Sequence, residues 1–200
     1  MDFSNPSRDL VFTPIEKNST FQGFFVRKKK TQKGKTMFYL YSEDEETLLL
    51  CAIESSSYVY EISRNAKNIN KTDPYFCGNL IGNNSTLTYS ATDHEGKNQL
   101  TIQFKKANER IFRRFSAIAP PNFSIVQREP QYINGVWMLK YPHYDGISSQ
   151  KNFMMDFDDD YCIAFEKLHD EEYYFSLRYP LSLFQGFCLS LSVMKKFSQE

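Results

Sequence analysis

Much is missing from this 200-residue sequence. It has one tryptophan, three histidines and four cysteines, and its 24 basic and 24 acidic residues cancel. Cys51, Cys77, Cys162 and Cys188 lie far apart and form no C-x-x-C pair, so the zinc-ribbon and dithiol signatures are absent. Four buried, reduced thiols are expected instead. His94, His143 and His169 are isolated and have no second ligand four residues on, and no Gly-x-Ser-x-Gly occurs. No catalytic residue, metal ligand or cofactor is expected. The acidic run Asp156–Asp160 has neither the glycine nor the closing glutamate of a calcium loop and reads as an acidic turn. The opening "MDFSNPSRDL" lacks the basic and apolar regions of a signal peptide. A reducing compartment, cytoplasm or nucleus, is therefore expected, with the sequons at Asn18 and Asn122 unmodified.

Short runs of Phe, Tyr, Thr, Val and Ile fill most of the chain, many alternating with period two. They predict strands at 21–26, 37–41, 48–53, 58–62, 75–80, 86–90, 100–104, 112–119, 123–127, 136–141, 152–157, 161–166 and 173–178. The breaks carry turn chemistry: Lys33-Gly34, Asp73-Pro74, Gly82-Asn83-Asn84, Glu95-Gly96, Pro120-Pro121, Asn134-Gly135 and Asp145-Gly146. Short gaps imply antiparallel pairing. Trp137, in "GVWMLKY", reads as a core residue.

One segment differs. From Leu181 to Met194 no residue is charged and nine are apolar. About 20 apolar residues are needed to span a bilayer, so this run is too short. It also lacks the charged face of an interfacial helix. A helix apolar on nearly all sides is a buried helix. Pro180 suits its first turn, and Lys195 and Lys196 suit the dipole in its last. The helix is placed at about 180–195. About a dozen strands in one sheet face an edge problem that closure removes, and a barrel that wide is not filled by its own side chains. The expected fold is mainly β: a closed antiparallel barrel of about twelve strands filled by a central C-terminal helix. Residues 1–11 form a short tail and 12–200 the barrel domain.

The charges are clustered. Arg27, Lys28, Lys29, Lys30, Lys33 and Lys35 crowd one predicted hairpin, and Lys105, Lys106, Arg110, Arg113 and Arg114 another stretch. A neutral sum can hide a basic face.

The segment "SSQKNFMMDFDDDYCIAFEK", followed by "YYFSLRYPLSLFQGFCLSLSVMKKF", resembles the C-terminal domain of tubby-like proteins. The shared features are Lys151-Asn152-Phe153, the acidic turn at Asp158–Asp160, and the Tyr179-Pro180-Leu181 entry to a final apolar helix. Weaker similarity lies in "TPIEKNSTFQGFFVRKKK", "NLIG" and "RRFSAIAP". The resemblance implies a twelve-stranded barrel threaded by a hydrophobic helix. It also implies a non-catalytic module that binds phosphoinositides at the inner leaflet and serves as a membrane-tethered adaptor, in some members in traffic to cilia. The family's pocket uses an Asn, a Lys and an Arg near an Asn-Leu-x-Gly turn, and a later Arg. Ser57 falls at the Asn position, Asn79 and Ile81 stand near the Lys and Arg positions, and Lys97 falls near the later Arg.

With those pocket positions substituted, the expected lipid contacts are Arg27, Lys28, Lys29, Lys30, Lys33, Lys35 and Lys97. The expected partner is an anionic phospholipid or phosphoinositide surface, bound by a monomer. The alternative is a protein-interaction scaffold that has lost lipid binding. A nucleic-acid binder ranks third, because the net charge is neutral. Few residues precede the barrel, so no long N-terminal adaptor segment or F-box is expected, and a protein partner must dock on the barrel.

Overall fold

The computed structural model describes residues 9–105, 114–142 and 146–195. Among the described residues, fourteen strands and one α-helix follow a 3-10 turn at Asp9–Phe12. The strands are β1 (Gln22–Lys30), β2 (Thr36–Ser42), β3 (Leu48–Ser56), β4 (Val59–Ser63), β5 (Phe76–Asn83), β6 (Thr88–Asp93) and β7 (Asn98–Phe104). They continue with β8 (Phe115–Ala119), β9 (Phe123–Gln127), β10 (Gln131–Ile133), β11 (Val136–Met138), β12 (Phe153–Phe157), β13 (Asp160–His169) and β14 (Glu172–Leu177). The helix is α1 (Leu183–Ser192).

Twelve strands close into an antiparallel barrel in which each neighbours the next in sequence, and β14 returns to pair with β1. The expected barrel is therefore present. One assignment was wrong: the strand expected at 136–141 is not a stave. Among the described residues Val136–Met138 pairs only with Gln131–Ile133, in a separate two-stranded ribbon inserted between β9 and β12. The expected start of β8, at 112–113, lies outside the described residues.

Alternation places one face of each strand inside. In β14, Tyr173, Phe175 and Leu177 join the core. On β1, Phe24 and Val26 do the same, while Phe25 packs outside on Tyr174, ring centroids 5.2 Å apart. Gly82 falls within β5 rather than in a turn; a Cβ there would lie 2.7 Å from Tyr58 Cβ and 2.6 Å from the Tyr89 ring.

All ten residues of α1 are buried. Leu181, Leu183, Phe184, Phe187, Cys188, Leu189, Leu191 and Val193 fill the barrel, and each large side chain contributes about 1.5–3 kcal/mol by leaving water. The polar residues are satisfied internally. Ser190 and Ser192 donate to the carbonyls of Phe187 and Leu189, both at 2.7 Å.

The helix begins later than expected. Ser182, not Pro180, stands at its start: the Ser182 hydroxyl accepts from the Gln185 N–H, and Gln185 Oε1 accepts from the Ser182 N–H at 2.8 Å. This capping box satisfies two donors that have no intrahelical partner. The helix also ends earlier, at Ser192, so Lys195 lies beyond its last turn, and Lys196 is outside the described residues. The domain boundary expected at residue 12 falls within the 3-10 turn. Val11 of that turn is buried, Phe12 packs 4.8 Å from Phe184, and the Ile15 N–H donates to the Leu181 carbonyl at 2.9 Å.

Candidate functional site

Alternating strand direction sorts the connections into two ends. The turns β2–β3, β4–β5, β6–β7, β8–β9 and β12–β13 share one end with the start of α1, where Gln185 Nε2 donates to the Gln99 carbonyl at 2.7 Å. The turns β1–β2, β3–β4, β5–β6 and β13–β14, the connection after β7, and the β10–β11 ribbon share the other. The chain leaves α1 at that second end, where Lys195 Nζ meets Glu54 at 2.8 Å. The first is the entry end of the helix and the second its exit end.

The basic hairpin β1–β2 lies at the exit end. Its turn is closed by Thr31, whose N–H donates to the Lys35 carbonyl at 2.8 Å and whose hydroxyl accepts from the Lys35 N–H at 3.1 Å. Gly34 supplies the left-handed backbone of this turn, with φ +77°.

Barrel closure divides the six cations. The acidic β13–β14 turn sits beside β1, with Arg27 opposite Glu172 in register. Arg27 Nε donates to Glu172 at 2.7 Å, its other arm meets Glu45, and its guanidinium lies 5.2 Å from the Tyr41 ring centre. The hydrogen bond to Glu172 is the main reason that the Arg27 pKa is held above its usual value. Lys28 pairs with Glu171 at 2.8 Å, and the Lys29 ammonium lies 5.9 Å from the Tyr39 ring centre. Lys30, Lys33 and Lys35 are exposed at the tip and form no ion pair among the described residues. The stretch is thus a base neutralised at Arg27 and Lys28, with Lys29 over a tyrosine ring, carrying a tip of three open ammonium groups.

Lys97 does not join them. It sits in the β6–β7 turn at the entry end, its N–H held at 2.9 Å by Asp93 Oδ1. The substituted pocket positions do fall together. Asn79 and Ile81 face outward two residues apart on β5, and Ser57 lies in the adjoining β3–β4 turn. Lys195 reaches this neighbourhood: its Nζ is 3.4 Å from Ser57 Oγ and 5.4 Å from the Tyr58 ring centre. Sequence reasoning had assigned Lys195 to the helix dipole; no local signal links it to a turn 138 residues earlier.

The second basic stretch is also divided. Lys105 is exposed, Arg114 pairs with Glu129 at 2.8 Å, and Lys106, Arg110 and Arg113 lie outside the described residues, as does His143. The acidic run forms the β12–β13 turn, flanked by Arg128 on Asp156 at 2.7 Å and by Arg178 on Asp160. All four cysteines are free and buried. Burial pushes the Cys51 and Cys162 thiols up to about 12 and Cys188 well above its usual value, so they stay protonated at neutral pH.

Trp137 is not a core residue: half its surface is exposed, and its ring packs at a tilt of 54° against Tyr132 on the ribbon, ring centroids 5.2 Å apart.

A model of the Tub family matches residues 95–196, from the β6–β7 turn through the helix. No curated protein matches the chain.

Proposed function

Because the chain belongs to the Tub family, a family of binding domains rather than enzymes, we propose that it is a non-catalytic module that docks on anionic membranes through the exit end of its barrel. There it acts as a peripheral, membrane-tethered adaptor at the inner leaflet. The observation that carries this reading is the hairpin tip, where Lys30, Lys33 and Lys35 project together without acidic partners among the described residues. Each cation near an anionic leaflet contributes about 1 kcal/mol, so three of them support reversible attachment.

Attachment of this kind responds to charge density rather than to headgroup stereochemistry. It also weakens with salt, because exposed charges are screened over about 8 Å at physiological ionic strength. A pocket gripping one headgroup by charge-assisted hydrogen bonds would rank isomers and keep more affinity in salt. Ser57, Asn79 and Ile81 cannot supply the cations such a grip needs. The same substitutions support the second reading, a scaffold for protein partners.

Vesicle sedimentation at low and high salt separates the two. At matched surface charge, phosphatidylserine and each phosphoinositide isomer should bind comparably at low salt, with binding much weakened by combined Lys30→Ala, Lys33→Ala and Lys35→Ala and little changed by Lys97→Ala. No binding to any anionic vesicle at low salt would favour the scaffold. A salt-resistant preference for one isomer that disappears with Lys195→Ala, the cation beside Ser57, would restore a gripping pocket.

A further inference from the structure

Both faces of the β10–β11 ribbon carry exposed apolar side chains; polar Gln131 lies opposite Met138 at the open end. Cross-strand register puts Tyr132 opposite Trp137 on one face, and Ile133 opposite Val136, beside Met138, on the other. Their exposures run from 43% at Ile133 to 63% at Tyr132. The tight turn is built for this shape: Asn134 and Gly135 both have positive φ, at 49° and 87°, as a two-residue hairpin with the right-handed strand twist requires. The ribbon belongs to neither the barrel sheet nor its core.

We propose that this ribbon is a membrane wedge, inserted into the headgroup and upper acyl region of the same bilayer that the lysine tip attracts. The inference rests on the membrane reading above and assigns its non-electrostatic part. Three observations carry it. A protein surface can cover one face of a two-stranded ribbon, whereas a lipid interface surrounds both, and here both expose apolar side chains. The exposed pair includes Tyr and Trp, whose amphipathic rings settle at the membrane–water boundary. The ribbon emerges between β9 and β12 at the exit end, on the rim that carries the β1–β2 tip. Two strands, β13 and β14, separate β12 from β1 in the barrel, so ribbon and tip stand about 15 Å apart around the rim at ordinary strand spacing. A leaflet facing this end meets both.

Insertion has a natural limit. Three residues per strand reach about 10 Å, and the unpaired backbone groups along the ribbon's outer edges cannot enter hydrocarbon. The ribbon therefore stops near the acyl boundary, the depth that interfacial elements occupy.

The chain contains its own probe, since Trp137 is its one tryptophan. Full-length protein is titrated with phosphatidylcholine–phosphatidylserine vesicles, with sedimentation and Trp137 emission read together. Binding should shift the emission to the blue, and lipids brominated high on the acyl chain should quench it more than lipids brominated near the chain end. Ile133→Asp with Met138→Asp should leave the melting temperature unchanged, since the ribbon is outside the core, and should reduce affinity at least tenfold. The lysine-tip triple variant should bind more weakly yet show the same blue shift once bound. Sedimentation with unshifted, unquenched Trp137 overturns the wedge and leaves electrostatic docking intact. Absence of sedimentation at low salt overturns both.

Discussion

Lys195 Nζ lies 2.8 Å from Glu54 Oε1, joining the chain just after the helix to the end of β3, 141 residues earlier. The pair is half-buried, with the Tyr58 ring beneath the ammonium. It latches the helix exit to the rim. Partly exposed ion pairs contribute about 0.2–1 kcal/mol, so Glu54→Gln and Lys195→Met should each lower stability by that order. A double-mutant cycle in urea should return a positive coupling energy. Strictly additive losses would show that the contact is incidental.

The helix is the core of the molecule. Phe187→Ala should cost about 3–5 kcal/mol, and Phe187→Asp, which buries an unpaired charge, should abolish a cooperative melt. Deleting 181–200 should do the same. A truncated chain that stays monomeric and still melts cooperatively would falsify the plugged barrel.

Ser182→Ala removes one half of the capping box. About 1 kcal/mol is the usual loss, and here it falls at a buried helix start. Thermal melts should show the loss, while Ser182→Thr should retain most of the stability, because its hydroxyl can accept the same N–H without burying a charge.

Alkaline pH should weaken the fold. The Cys51 and Cys162 thiols are pushed up to about 12 by burial from a reference of 9.0. A raised folded value means that the native state holds its proton longer than the unfolded state. The contribution is therefore complete below about pH 9 and declines between 9 and 12. Urea midpoints measured from pH 8 to 11 should fall, and Cys51→Ala with Cys162→Ala should flatten that fall. Thiol reagents at pH 8 should label none of the four cysteines before unfolding.

The acidic β13–β14 turn should act as a brake on membrane docking. Glu171→Gln releases Lys28, and Glu172→Gln combined with Glu45→Gln releases Arg27; each freed cation should strengthen vesicle binding roughly fivefold at low salt. Unchanged or weaker binding would mean that β1 does not face the leaflet.

Most staves were legible because alternation and turn residues agree: Phe24 and Val26 point in, and Lys33-Gly34 breaks the chain where it must turn. The ribbon was misread because Val136–Met138 alternates as a stave would, and periodicity does not say whether a sheet or open surroundings lie alongside. The helix start was readable in Ser182-x-x-Gln185, but Pro180 suggested an earlier one. The division of the basic cluster was not readable at all. Arg27 and Lys28 are neutralised only because β14 closes onto β1, a relation carried by the whole barrel and by no local pattern. Lys97 was grouped with the hairpin lysines for the same reason: strand parity, counted around the barrel, sends it to the opposite rim.

All twelve staves precede the segment that fills them. On a ribosome the strands therefore emerge before their core exists, and the pairing that closes the barrel, β1 with β14, joins residues about 150 apart in the chain. Contacts this distant in sequence form slowly, and apolar strand faces stay open meanwhile. Newly made chains should therefore depend on chaperone protection until the helix segment clears the exit tunnel, and a translation arrest just before Leu181 should leave a protease-sensitive sheet.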